Sequence, residues 1–199
     1  MANLVNLEAV THGFGTRILL DGVSLGLGAG EVIGVVGRNG DGKTTLLRIL
    51  TGDLEPDDGR VTAANNASIG VLAQDTIGDD AETVRDWIVG GEPDHVWAAD
   101  ASQRAVVEAL LADVDLDRAL GTLSGGERRR VGLVGVLLGH HDLVVLDEPT
   151  NHLDVEAIAF LAEYLRARTR AGLAMLVVSH DRWFLDEVCT RIWEVHDGV

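Results

Sequence analysis

The stretch Gly37-Arg38-Asn39-Gly40-Asp41-Gly42-Lys43-Thr44-Thr45 has the residue types and spacing for phosphate chemistry. It follows the apolar run Val32-Ile33-Gly34-Val35-Val36 and leads into Leu46, Leu47, Ile49 and Leu50 at helical spacing. Strand, glycine-rich loop and helix, in that order, are the context that G-x-x-x-x-G-K-[ST] requires. Glycines at 37, 40 and 42 let the backbone curl so that several N–H groups converge on one anion. The start of the helix adds the positive end of its dipole at the same place. Lys43 can reach the β- and γ-phosphates of a nucleotide, and the Thr44 hydroxyl can ligate a magnesium ion. Of the 16 basic residues, 15 are arginine and Lys43 is the single lysine. The sequence thus keeps its one compact, flexible ammonium where a phosphate needs a point charge.

Two further places carry chemistry in the same plane of the fold. Leu143-Val144-Val145-Leu146 reads as a strand buried on both faces and ends in Asp147-Glu148-Pro149. Carboxylates at the carboxyl end of a buried parallel strand lie where α/β sheets bind ligands. Asp147 can hold magnesium, directly or through water, and Glu148 can polarise a water for attack on a γ-phosphate. Leu173–Val178 is a second buried strand, which ends in Ser179-His180-Asp181. His180 is thereby placed at the sheet edge that carries Lys43 and Glu148. Leu123-Ser124-Gly125-Gly126-Glu127 opens a helix to about Leu138. It is read either as a second anion site or as an ordinary serine N-cap.

The elements that must position these groups follow from pattern. Residues 4–10 and 18–27 read as strands, the second by alternation of Val23, Leu25 and Leu27 with Ser24 and Gly26. Phe14, between Gly13 and Gly15, falls on the loop joining them, where it stacks on a purine or fills a small core cluster. Pro56-Asp57-Asp58-Gly59 predicts a turn, Val61–Ala63 and Ser68–Leu72 predict strands, and Gln74 follows at a strand end. Residues 75–122 turn alanine- and aspartate-rich, with helical patterns at Thr83–Val89 and after Ser102, which reads as an N-cap. Trp87 and Trp97 read as packing residues and His95 as surface. Arg128, Arg129 and Arg130 read as a solvated helix face. Gly132 and Gly135 each cost about 1 kcal/mol in a helix interior. Asp154 caps the following helix, which ends at Gly172. Arg191–Val195 is a final strand.

The totals bound the function. At 199 residues with 46% hydrophobic content, the chain can bury one sizeable core. A net charge of −16 argues against a general polyanion binder. One cysteine, Cys189, permits no internal disulfide and fits a reducing, cytoplasmic setting. The N-terminus lacks a signal-peptide pattern, and no apolar run is long enough to span a bilayer.

On these motifs the chain resembles an ATP-binding-cassette nucleotide-binding domain over nearly its whole length. The ordered set is the phosphate loop, Gln74, Leu123 to Glu127, the strand ending at Glu148, the loop ending at Asp154, and His180. LSGGE is specific to that family, whereas the phosphate loop is shared by many NTPases. Within it, Glu148-Pro149-Thr150-Asn151-His152-Leu153-Asp154 and Ser179-His180-Asp181-Arg182-Trp183-Phe184-Leu185-Asp186 resemble the ABC-F group, soluble tandem ATPases that act on ribosomes in translation or antibiotic resistance. Transporter subunits more often carry serine and alanine where this chain has Asn151 and His152. An ATPase subunit of a membrane transporter is the alternative, and a non-hydrolysing ATP-gated module is a third reading.

The resemblance implies an α/β P-loop NTPase fold over 1–199. It has a mostly parallel RecA-like core sheet, an antiparallel β subdomain (about 1–30 and 60–73) and a helical subdomain (about 76–138). It implies a magnesium-dependent ATPase that closes head to tail on a second cassette. Lys43, Thr44, Gln74, Asp147, Glu148 and His180 would serve one ATP, with Gln74 also near the metal. Ser124, Gly125 and Gly126 would serve the ATP of the partner. Phe14 would stack on adenine and Asp154 would lie at the contact between cassettes. The chain would be the N-terminal half of a tandem protein, with contacts to ribosome and tRNA carried mainly by segments outside it, and with no membrane insertion. Two positions depart from the family pattern. Asp41 stands where a small neutral residue is usual, and a carboxylate there weakens phosphate binding unless it is paired or turned away. Gly135 replaces an arginine common in that helix.

Overall fold

The structure is a computed structural model that describes residues 3–64, 66–72, 77–90 and 99–196. Gln74, His95 and Trp97 lie outside the described residues. Two sheets form. The first is antiparallel in the order β2-β1-β4, from β1 (Asn3–Phe14), β2 (Arg17–Gly28) and β4 (Asp58–Ala63). The second has five parallel strands, β3 (Val32–Gly37), β5 (Ile69–Leu72), β6 (Leu143–Asp147), β7 (Ala174–Val178) and β8 (Arg191–Val195), in the order β5-β6-β7-β3-β8. The stretch 60–73 is therefore divided between the sheets. Its first part pairs with β1, while β5 joins β6 in the parallel sheet.

The parallel sheet is buried on both faces, and its side chains alternate between two cores. From β6, Val144 and Leu146 face one core while Leu143 and Val145 face the other. From β7, Met175 and Val177 oppose Ala174, Leu176 and Val178 in the same way. One core is closed by the antiparallel sheet and α1 (Lys43–Thr51). The other is closed by α2 (Val84–Val89), α3 (Ala101–Leu111), α4 (Gly125–Leu138), α5 (Val155–Arg170) and α6 (Arg182–Val188). Each fully buried branched aliphatic side chain contributes about 1.5–3 kcal/mol.

Strand and helix limits differ from the sequence pattern in instructive places. Phe14 is the last residue of β1 rather than a loop residue. It pairs with Arg17 across a two-residue hairpin in which Gly15 takes φ 62°. Asp58 and Gly59 belong to β4, because Thr11 of β1 pairs with Asp58 and draws the turn residues into the ladder. The cap of α3 is Asp100, not Ser102, since the Asp100 carboxylate accepts the N–H groups of both Ser102 and Gln103. The two glycines of α4 are close-approach sites. A Cβ on Gly132 would stand 2.8 Å from Ile77 Cγ2, and one on Gly135 would stand 2.7 Å from the Trp87 indole nitrogen.

Candidate nucleotide-binding site

Register brings the chemistry to one edge. Val35 of β3 pairs with Val178 of β7, and Val178 pairs with Asp147 of β6. These three strands run in the same direction, so the phosphate loop after β3, the acids ending β6 and His180 after β7 leave the sheet side by side. A cavity of about 520 Å³ opens there. Lys43, Thr44, Thr45, Asn39, Gly40, Gly42, Asp147, Glu148 and His180 line it, together with Leu19 and Asn151.

Gly42 caps α1 with φ 108°, a left-handed conformation that turns the loop into the helix without a Cβ penalty. A Cβ there would also meet the Leu19 carbonyl oxygen at 3.3 Å. Gly40 is likewise left-handed, at φ 89°. The Lys43 side chain is buried along the loop, and its Nζ donates to the carbonyls of Gly37 (2.8 Å) and Arg38 (3.0 Å). The ammonium is therefore held over the centre of the loop by backbone acceptors that a phosphate can replace.

Asp147 is buried, and burial pushes its carboxyl pKa up; the positive charges of Arg129 and Lys43 oppose that shift. A buried carboxylate beside a threonine hydroxyl is a hard-oxygen donor pair, which suits magnesium completed by phosphate oxygens and water. Among the described residues no group of three or more His, Cys, Asp or Glu side chains forms a metal cage.

Glu148 adopts φ 52°, a left-handed conformation for a non-glycine residue that costs of order 1 kcal/mol or more and persists only when its surroundings fix it. They do so on three sides. Its N–H donates to Val178 O at 2.7 Å. Its carboxylate accepts the His180 backbone N–H at 3.3 Å. The His180 Nε2 stands 3.4 Å from the other carboxylate oxygen. Behind this pair, the buried hydroxyls of Thr150 and Ser179 meet at 3.3 Å and join the two loops.

Ser124, Gly125 and Gly126 are not in this cavity. Ser124 is the N-cap of α4 in a reciprocal capping box. Its hydroxyl accepts the Glu127 N–H, and its own N–H donates to the Glu127 carboxylate. Hydrogen bonding to Ser124, reinforced by Arg118, lowers the Glu127 pKa to about 2. The N-cap reading of this segment is therefore correct as local structure, and Gly125 is exposed beside it. Gly126 lies against the imidazole of His152, itself at φ 66°. Phe14 is exposed on the hairpin tip, edge-on to His12 at 5.1 Å, and does not line the cavity.

The three arginines that follow Leu123–Glu127 are not a solvated face. Arg128 donates to Ile77 O and pairs with Asp80 at 2.8 Å, and Arg129 donates to the backbone carbonyl of Asp147. Arg130 forms a two-pronged pair with Asp113, both contacts at 2.7 Å. Their partners lie 17 to 51 residues away in sequence, so helical spacing carries no sign of them. Leu19 and Asn151 were also invisible as site residues: one is an apolar strand position and the other a polar loop position. Burial pushes the Cys189 thiol pKa up to about 12, so it is held as the thiol.

A parallel sheet with an inner strand that ends in a glycine-rich lysine loop, and an acid pair on the next strand but one, defines a P-loop nucleotide-binding domain. The family model described as ABC transporter matches residues 20–151. The chain belongs to that family, as an ATP-binding cassette. It is 34% identical over 232 residues to the energy-dependent translational throttle protein EttA of Mycobacterium tuberculosis, covering 98% of this chain and 41% of the relative. It is 36% identical over 198 residues to EttA of Haemophilus influenzae, covering 98% of this chain and 35% of the relative. Among solved structures, RNase-L Inhibitor superimposes with a TM-score of 0.83 at 30% identity, over 98% of this chain and 38% of that one. The chain thus spans less than half the length of these relatives. No helix among the described residues is long and apolar enough to cross a membrane.

Proposed function

We propose that this chain is one cassette of a two-cassette, magnesium-dependent ATPase of the ABC-F type, which closes on its second cassette to act on the ribosome. The observation that carries the reading is the convergence of Lys43, Thr44, Asp147, Glu148 and His180 on one cavity, while Ser124–Gly126 lie outside it. A cassette built this way holds the phosphates with one surface and offers its signature to a nucleotide held elsewhere. Lys43 exchanges its backbone acceptors for β- and γ-phosphate oxygens. Thr44 and Asp147 would hold a magnesium ion, which would neutralise charge on the phosphates, and the family resemblance adds Gln74 to that set. Glu148 orients and deprotonates the attacking water, and His180 keeps the Glu148 carboxylate in place from the neighbouring strand. The loop residues Gly37, Arg38, Asn39, Gly40, Asp41, Gly42 and Thr45 supply the cradle, and Phe14 stacks on the base. The ribosomal role is supported by the EttA relatives, whose name denotes translational throttling. A role in antibiotic resistance is a finer form of the same reading, and the setting is cytoplasmic.

The test is co-sedimentation of the full-length Glu148→Gln protein with ribosomes, with and without ATP. ATP-dependent pelleting is the expected result. No pelleting in either state removes the ribosome as client and favours the transporter-subunit alternative.

A further inference from the structure

Asp41 is an acidic residue inside the loop that is to hold an anion, in a chain whose net charge is already −16. The structure shows how it is accommodated. Its side chain is only 11% exposed, and its Oδ2 accepts the Arg38 N–H at 3.0 Å. Its own N–H donates back to Arg38 O at 3.2 Å, so residues 38–41 form a doubly closed turn. The other carboxylate oxygen faces Arg17 Nη2 at 3.9 Å. Arg17 opens β2 at the hairpin tip and is 65% exposed. It approaches Gly40 as well, since a Cβ there would lie 3.9 Å from Arg17 Nη1.

Two consequences follow. Lys43 shares the Arg38 carbonyl with this turn, and it must leave that carbonyl to engage phosphates. The Asp41 brace does not depend on Lys43, so the turn keeps its shape when the lysine moves. The brace, however, puts a carboxylate into the cradle, and Arg17 is the cation placed to hold its second oxygen within the turn.

We infer that Arg17 and Asp41 form a charge-compensated brace of the phosphate loop, in which Asp41 fixes the loop and Arg17 acts on nucleotide affinity through Asp41. Both are positioning residues. The inference rests on the reading of residues 37–45 as the phosphate site. It distinguishes Arg17 from a residue that touches the nucleotide, because its effect must vanish when the charge on Asp41 is removed.

The experiment is calorimetric titration of the full-length protein and its Arg17→Gln, Asp41→Asn and doubly substituted variants with MgATP. Asparagine keeps the acceptor for the Arg38 N–H and removes the charge. Arg17→Gln is expected to weaken binding about fivefold, because an Asp41 carboxylate no longer held by Arg17 is free to turn a partly screened unit charge toward the polyanion. Asp41→Asn is expected to bind more tightly than the parent, since it takes a negative charge out of the cradle, and the double variant within twofold of Asp41→Asn. Arg17→Lys, which keeps the charge, restores the parent affinity. Fivefold weakening by Arg17→Gln in both backgrounds would overturn the inference and make Arg17 a direct ligand. No weakening in the parent background would overturn it as well. Melting temperatures of the four proteins separate a folding effect, which moves stability without the non-additivity in affinity. Unchanged MgATP affinity in Lys43→Ala would instead defeat the phosphate-site reading itself.

Discussion

Replacing Gly135 by alanine sets two effects of similar size against each other. Alanine is favoured over glycine in a helix interior by about 1 kcal/mol. The new methyl would stand 2.7, 3.3 and 3.4 Å from three atoms of the Trp87 indole, with no other neighbour closer. The indole is a rigid plate, and Trp87 is half-buried on the short α2 between Val84 and Ile88, which are both buried. It therefore cannot yield as a flexible side-chain end would, and overpacking of this kind costs about 1–3 kcal/mol. The net expectation is a loss of about 1 kcal/mol, or about 2–4 °C in melting temperature for a domain of this size. Urea unfolding followed by far-UV circular dichroism measures it. In a Trp87→Leu background the clash disappears, and Gly135→Ala then stabilises by up to about 1 kcal/mol. Stabilisation by Gly135→Ala in the parent itself would show that helix propensity outweighs the contact and would refute the account of this glycine.

Other expectations concern the site directly. Lys43→Ala abolishes MgATP binding in calorimetry, because it removes the only lysine and the only ammonium over the loop. Glu148→Gln retains the acceptor for the His180 N–H, so affinity for ATP stays within a few-fold. Hydrolysis falls by about 10²–10⁴, the usual share of a general base; normal turnover in a single-turnover assay removes Glu148 from that role. Glu127, with its pKa lowered to about 2 from 4.5, contributes stability that is fully present above pH 4.5. That contribution is lost as pH falls through about 2. In Glu127→Gln the acid-side decline in melting temperature becomes shallower over that window, and an unchanged slope would mean the carboxylate contributes nothing there.

Much of the site was legible because its residues are local in sequence. The phosphate loop, the acids after β6 and the histidine after β7 each follow an apolar run, and the chain direction places their ends together. Features set by tertiary partners escaped. Arg129, on a helix, grips a backbone carbonyl at the end of a strand, Asp100 took a cap that Ser102 also suited, and Phe14 extended β1 because Arg17 pairs with it. The left-handed backbone at Glu148 leaves no mark in residue type, since glutamate is not among the residues that favour it. The glycines of α4 were visible as a cost, but only the positions of Ile77 and Trp87 explain it.

The strand order has a consequence for synthesis of the protein. The loop-bearing β3 and the acid-bearing β6 never touch; β7, at residues 174–178, is the strand between them. Until that segment has been made, a nascent chain carries two hydrophobic strands with bare edges and nothing to join them. Such edges invite mispairing. The nucleotide pocket is therefore among the last parts of this cassette to come into being, and binding of ATP reports that this late strand has found its slot.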